Sequence, residues 1–463
     1  MRRAAPFRHR DSRRAGAGGD GCRAKPAREA SPYGGGSGGA LPVRPPLRRS
    51  PQRPSPRRAR CRSGADRGRL SRRAPPSGPR PRDPGTTGQE GTSAHEDRHP
   101  PPRSGHLHRG AGVSASASTA PRHRPEALRA FAAQLFGAAG MEADKAGAVA
   151  DILVEADMLG HDTHGLELAA RYLGEIEAGT MALRGEPEIL SDRGAVMAWR
   201  GRRLPGAWLV LRALEAAYGR VAQFGIASIA IGDCHHTGCL AAYLQRAAER
   251  GLVLSIHSSA PGAASVAPFG GVKGTLSLAP FAFGFPTGGD PVMIDVSASI
   301  TTNNMALRLI REGRRYERPW LMDAEGQVTE DPTVVQRGGT VLPAGGQDHG
   351  QKGYGWALTA EALSQGLSGH GRADGAPGMS NAVFLQMIDP GAFAGLDAFT
   401  RQADAITGNC RASPPRPGFG PVRLPGEAGL RRRAAAERDG LALRAGILDA
   451  LRPWAEKLGV AMP

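Results

Sequence analysis

A mixed α/β fold is predicted for residues 122–463, on three observations. β-rich apolar runs recur at 226–231 (IASIAI), 252–256 (LVLSI) and 292–296 (VMIDV). Segments with apolar residues at helical spacing lie around and between them. The strong positive charge of the chain stops before the first such segment. Strands and helices that alternate, rather than segregate, leave α/β or α+β as the class. The 463 residues suffice for two average domains or one large one.

Residues 1–121 form a separate arm. Of the 60 Lys+Arg, 26 lie in residues 1–120, with only 8 of the 43 Asp+Glu, so the net charge of +17 belongs to this quarter of the chain. Its composition, typified by PVRPPLRRSPQRPSPRRARCR at 42–62, is rich in Arg, Pro, Gly and Ser and has almost no apolar periodicity. Such a segment buries too little apolar surface to offset chain entropy and is expected to be disordered. A nucleic-acid-binding arm would interleave aromatics for stacking, and only Phe7 and Tyr33 occur. A transit peptide fits the Arg and Ser content in part. The preferred reading is a start codon placed too far upstream in GC-rich DNA.

Order is expected from Pro125, a residue suited to a first helical turn. Leu128, Phe131, Ala132 and Leu135 follow at i, i+3, i+4 and i+7. A second helix carries Val149, Ile152, Leu153 and Ala156 on one face and stops at Gly160. Leu240 to Arg250 reads as a helix closed by Gly251, and Trp356, Ala360, Leu363 and Leu367 mark a later one. Five scattered cysteines, an odd number in a long chain, make no disulfide framework. No apolar run reaches the roughly 18–20 residues of a membrane span, and the N-terminus lacks a signal-peptide apolar core. A cytoplasmic protein without membrane or nucleic-acid partners is expected, the near-neutral charge of 122–463 arguing the same.

Four clusters carry chemistry. His161-Asp162-Thr163-His164-Gly165 offers histidines suited to proton transfer near neutral pH, with a hydroxyl to orient one. Taken alone it reads more readily as a polar helix cap, and HxxH without an intervening Glu is a weak zinc signal. Asp233-Cys234-His235-His236-Thr237-Gly238-Cys239 follows the strand at 226–231, where α/β enzymes keep their sites. Four ligands crowded that closely make a tetrahedral metal site awkward, and no metal is expected. Asp295 closes an apolar strand before Ser297 and Ser299; it can hold a histidine tautomer or a ribose, or simply cap the next helix. Gly345 to Gly355, containing Lys352 and Gly353, suits a phosphate at a helix start. It is neither a Walker loop nor GxGxxG.

Together, in this order, these clusters resemble one family. LVEADMLGHDTHGLELAARYLGEIEAGTM (153–181), DCHHTGCLAAYLQRAAERGLV, VAPFGG, PFAFGFPT, DPVMIDVSAS, KGYG and LPGE (424–427) are similar to the malate/L-lactate dehydrogenases of the non-Rossmann type. That family includes ureidoglycolate dehydrogenase, diketogulonate reductase, sulfolactate dehydrogenase and cyclic imino acid reductases. The resemblance spans essentially all of 122–463. It implies a mixed sheet binding NAD or NADP in extended form, a helical substrate-side region, and a homodimer. It implies that His164 is the acid/base, Thr163 its hydroxyl neighbour, Asp295 its supporting carboxylate and His236 a second active-site histidine. Ser259 lies at or next to the place of the family's substrate-contacting serine. Ile294, Asp295, Val296, Ser297, Ser299, Lys352, Gly353, Pro425, Gly426 and Glu427 match cofactor-contacting segments.

Two places depart from the family pattern and bear on substrate identity. Leu168 stands where an Arg often meets the substrate carboxylate, with Arg171 one helical turn on as a possible replacement, or else a solvated surface residue. Ser277-Leu278-Ala279-Pro280 replaces Gly-Thr-Asn-Pro. The expected activity is hydride transfer between NAD(P) and C2 of a small 2-hydroxy/2-oxo acid. The rivals are reduction of a cyclic imino acid and, from another class, nucleic-acid binding through the basic arm.

Overall fold

The computed structural model describes residues 121–375 and 378–463. The arm at 1–120, with Cys22 and Cys61, lies outside them.

The chain opens with a two-residue strand β1 (Arg122–His123), then α1 (Pro125–Ala138) and α2 (Ala143–Leu159). The expected apolar stripes of both helices are buried. Gly160 ends α2 with φ 85°, a left-handed cap that costs glycine little. Two 3-10 turns, Asp162–His164 and Leu166–Leu168, lead into α3 (Ala169–Glu177). A hairpin of β2 (Glu188–Asp192) and β3 (Val196–Arg200), then α4 (Gly206–Phe224), precede β4 (Ile226–His235). Next come α5 (Ala241–Ala248), β5 (Val253–Ser259), β6 (Pro280–Phe285), β7 (Val292–Ser297) and α6 (Asn303–Arg311). Three short strands follow: β8 (Leu321–Met322), β9 (Val328–Thr329) and β10 (Thr340–Val341). After α7 (Gly346–His349) and α8 (Gln351–Glu361), β11 (Ser380–Ile388) re-enters the sheet. The chain closes with α9 (Leu396–Ala412), α10 (Glu427–Asp439), β12 (Leu441–Ala442) and α11 (Ile447–Leu458).

The main sheet has seven strands in the order β2-β3-β4-β11-β5-β6-β7. Only β3 and β4 pair in parallel; the other pairs are antiparallel. This is the expected mixed sheet, and it is not the parallel arrangement of a doubly wound dinucleotide fold. α4 and α5 pack on sheet strands, and α1, α2, α10 and α11 extend the same core. A smaller core holds Val266, Ala306, Leu309, Leu321 and Val341, where α6 meets the short strands.

Two expectations change in detail. β4 runs on through Asp233, Cys234 and His235, because β11 pairs with it as far as Ser380↔His235. The second cluster is therefore half strand and half loop. The late helix exists, but Trp356 and Leu367 are more than half exposed. Its buried stripe is instead Gly353, Ala357, Ala360 and Ser364. Small residues there let the helix lie close to β5 and β6.

Candidate active site

α2 delivers the first cluster. Its left-handed end at Gly160 turns the chain so that His161, Thr163 and His164 face a cavity of about 420 Å³. β4 and the loop before α5 deliver His236, Thr237 and Cys239 to the same cavity. β7 supplies Asp295, Val296 and Ser297, and the start of α6 supplies Thr302 and Asn303. Asn381 enters from β11, whose position between β4 and β5 no local pattern predicts.

The rings of His164 and His236 stack with centroids 5.9 Å apart and planes 25° apart. Nδ1 of His164 lies 3.0 Å from Thr163 Oγ1. Burial lowers the His164 pKa, and the nearby Asp295 carboxylate works against that by favouring imidazolium.

His236 has a different environment. Its Nδ1 accepts the Gly238 backbone N–H at 3.2 Å and lies 2.6 Å from the Tyr172 hydroxyl. A backbone N–H can only donate, so Nδ1 carries the lone pair and the neutral ring holds its proton on Nε2. Burial first, and then the nearness of His164, His235 and Arg171, holds its pKa well below the usual histidine range. His236 is therefore a neutral hydrogen-bond donor. His235, by contrast, is fully buried beside Tyr172 and Glu175, and burial pushes its pKa down to about 4.

Asp295 Oδ2 accepts the backbone N–H of Ala241 at 2.8 Å, at the start of α5, and the Cys239 thiol at 3.6 Å. Burial and the Asp295 charge push the Cys239 pKa well up, keeping it a protonated donor. One ligand atom each from His161, Cys239 and Asp295 lies within 4.8 Å of the others. The crowded set Cys234, His235, His236 and Cys239 does not converge in this way among the described residues. Cys234 turns instead to the Asn381 carbonyl at 3.1 Å.

Two of the three expected cofactor segments come together along β7. This edge strand meets the late loop through the Met293 N–H, which donates to Pro425 O at 3.1 Å. Ile294, Asp295, Val296, Pro425 and Gly426 line a second cavity of about 350 Å³. Glu427 lies just beyond, paired with Arg411 at 2.7 Å. Gly353 presses on the strand end: a Cβ there would stand 2.3 Å from Ala344 N and 2.4 Å from Ala298 O. Lys352 is exposed in the first turn of α8, and neither it nor Gly353 lines these cavities. Ser299 is buried, with its hydroxyl donating to Thr301 O at 2.7 Å. Glycines on the wall and free peptide edges on β7 fit an extended dinucleotide, which needs close backbone approach rather than bulky side chains.

Two expected substrate contacts lie elsewhere. Ser259 is fully buried, its hydroxyl shared with Ser364 at 2.6 Å and Gln365 at 2.8 Å, and it does not line the cavity. Arg171 is exposed, because the 100° step of α3 points the next residue, Tyr172, inward instead. Leu168 is a core residue and does not line the cavity. Tyr172, Asn303 and Asn381 are the site residues that sequence reasoning missed. Only Tyr172 carried a signal, as an aromatic one helical turn after Leu168.

A family model described as malate/L-lactate dehydrogenase matches residues 124–452. The chain is 31% identical over 344 residues to an L-lactate dehydrogenase of Cupriavidus necator, covering 72% of this chain and 97% of the relative. It is 31% identical over 247 residues to a (2R)-3-sulfolactate dehydrogenase (NADP(+)) of Chromohalobacter salexigens, covering 53% of this chain and 70% of the relative. The solved malate dehydrogenase of Pyrococcus horikoshii superposes with a TM-score of 0.68 at 24% identity, over 74% of this chain and 97% of that one, and shares the fold.

Proposed function

The chain belongs to the malate/L-lactate dehydrogenase family, and on that premise we propose that it oxidises a small 2-hydroxy acid, or reduces the matching 2-oxo acid, with NAD(P). The observation that carries this reading is the stacked His164–His236 pair over one cavity, with Asp295 favouring the charged form of His164. When bound, the nicotinamide supplies hydride exchange at C2. His164 gives a proton to the carbonyl oxygen in reduction and takes it from the hydroxyl in oxidation. Asp295 stabilises the imidazolium between those events, and Thr163 orients the ring. His236, held neutral with its proton on Nε2, donates to the substrate and polarises it without exchanging protons. The chain's residues thus supply positioning and charge stabilisation.

The cavity also bears on the substrate. Among the described residues its lining has no Lys or Arg. Its neutral polar donors include Asn303, Asn381, the His236 N–H and the hydroxyls of Thr163, Ser265 and Thr302, and Leu240, Leu278, Met305 and Pro280 form apolar walls. One carboxylate can be met by neutral donors; a second would lack the cation that normally accompanies it. The reading is therefore a monocarboxylic 2-hydroxy/2-oxo acid with an apolar side chain.

The test is a screen of NAD(P)H oxidation across 2-oxo acids and cyclic imino acids, repeated with His164→Ala. Turnover of 2-oxo acids should fall about 10²–10⁴-fold in the variant. A folded variant within a few-fold of wild type, or turnover of cyclic imino acids alone, overturns the proposal.

A further inference from the structure

The cavity that holds the two histidines continues beyond them. It shares His161, Asp295 and Val296 with the second cavity along β7. That one shares Pro425, Gly426, Ala428 and Arg432 with a third cavity of about 1390 Å³, walled by the 413–426 segment and the start of α10. The three make one trough.

Charge along the trough is uneven. The histidine end has no basic side chain other than its histidines among the described residues, and the middle has Arg432. The far end has five arginines against a single carboxylate, Glu427. Glu427 is occupied by Arg411 at 2.7 Å and Arg431 at 3.8 Å. Arg416, Arg423 and Arg432 meet no carboxylate among the described residues, and Arg416 lies over the Phe419 ring at 4.4 Å. Like charges gathered around one hollow repel one another, and an anion entering it relieves that repulsion. Guanidinium is also the side chain best shaped for bidentate phosphate binding.

A nicotinamide dinucleotide carries a pyrophosphate midway along its length. Only the phosphorylated form adds a second anion, on the adenosine ribose. The middle of the trough, with glycine walls and Arg432, suits the first anion, and the arginine pocket has work only for the second. We infer that Arg416 and Arg423 recognise a ribose 2′-phosphate, so that this protein prefers NADP(H) to NAD(H). The inference rests on the trough being the cofactor site.

The experiment is isothermal titration of the full chain with 2′,5′-ADP and with 5′-AMP, alongside tryptophan-fluorescence titrations with NADPH and NADH. Neither adenosine phosphate can react, so the readout is binding alone. Wild type should bind 2′,5′-ADP at least tenfold more tightly than 5′-AMP. The double variant Arg416→Ala/Arg423→Ala should bring the two within about twofold while leaving 5′-AMP affinity unchanged. Equal affinities in wild type, or a preference that survives in the double variant, overturn the 2′-phosphate assignment while leaving the cofactor site standing. Failure of all four nucleotides to bind overturns the cofactor site and the inference with it.

Discussion

Two stacked histidines are given different work by their different hydrogen-bond partners. The Gly238 N–H pins the lone pair of His236 to Nδ1; no backbone group among the described residues fixes His164 in that way, and Asp295 biases it toward charge. The sign of one consequence is definite. Oxidation needs neutral His164, so its kcat/KM should rise as pH climbs through a pKa lying below the ordinary 6.5. Asp295→Asn removes the group that raises this pKa, so the acidic limb should move to still lower pH and reduction should slow at neutral pH. A pH–rate profile in both directions checks it; an unmoved limb counts against Asp295 acting on His164. Tyr172→Phe removes one partner of His236 Nδ1 and leaves the Gly238 N–H. The expected loss is that of one hydrogen bond, about 1 kcal/mol or roughly fivefold in kcat/KM, with circular dichroism unchanged.

The turn between α2 and α3 is the element on which the site depends. Asp157, in the last turn of α2, accepts the Leu166 N–H at 2.8 Å, just past His164. Arg308 of α6 reaches Asp162 at 3.2 Å, and Asn304 donates to Thr163 O at 3.4 Å. Gly165 has no room for a side chain, since a Cβ would stand 2.1 Å from the Asp157 carboxylate. Gly165→Ala should therefore cost about 1–3 kcal/mol through the displaced buried acceptor and lower kcat as His164 shifts; thermal melts and kinetics measure both. Burial also pushes the Asp157 pKa from 3.8 up to about 7. A raised folded-state pKa on an acid means that the unfolded chain loses its proton first. Stability from this group is present below about pH 4 and is lost as pH rises toward 7. Asp157→Asn keeps an acceptor and cannot ionise. Its melting temperature relative to wild type should be higher at pH 8 than at pH 4; a difference constant over that range would count against the shift.

At the scale of the whole molecule, position 168 belongs to the main core. Leu168 is 5% exposed and sits among buried residues of the helical layer. Leu168→Arg, which the family pattern invites as a route to dicarboxylates, should instead bury an unpaired charge and cost about 3 kcal/mol or more. A melt showing undiminished stability, with new activity on oxaloacetate, would contradict that placement. For the wild type, a described lining without Lys or Arg predicts a kcat/KM for apolar monocarboxylic 2-oxo acids at least tenfold above that for oxaloacetate or sulfopyruvate. A preference for either doubly charged acid would mean that a cation reaches the substrate from outside the described cavity.

The elements and the chemical inventory are legible in the chain of residues alone. Periodicity marked α1 and α2, Gly160 marked a stop, apolar runs marked β5 and β7, and the resemblance picked out His164, His236 and Asp295 together. Helical and strand periods are local properties, legible in any window of a dozen residues. Tertiary structure decided what faces what. It inserted β11 between β4 and β5 and so brought Asn381 to the cavity. It turned Tyr172 inward and Arg171 outward, closed Ser259 behind Gln365, and exposed Trp356 while burying the small residues beside it. It also joined His164 and His236, from separate elements, over one hollow. Strand order and the facing of a single residue depend on which distant segments pack against it, and that competition between buried surfaces leaves no mark at neighbouring positions in the chain.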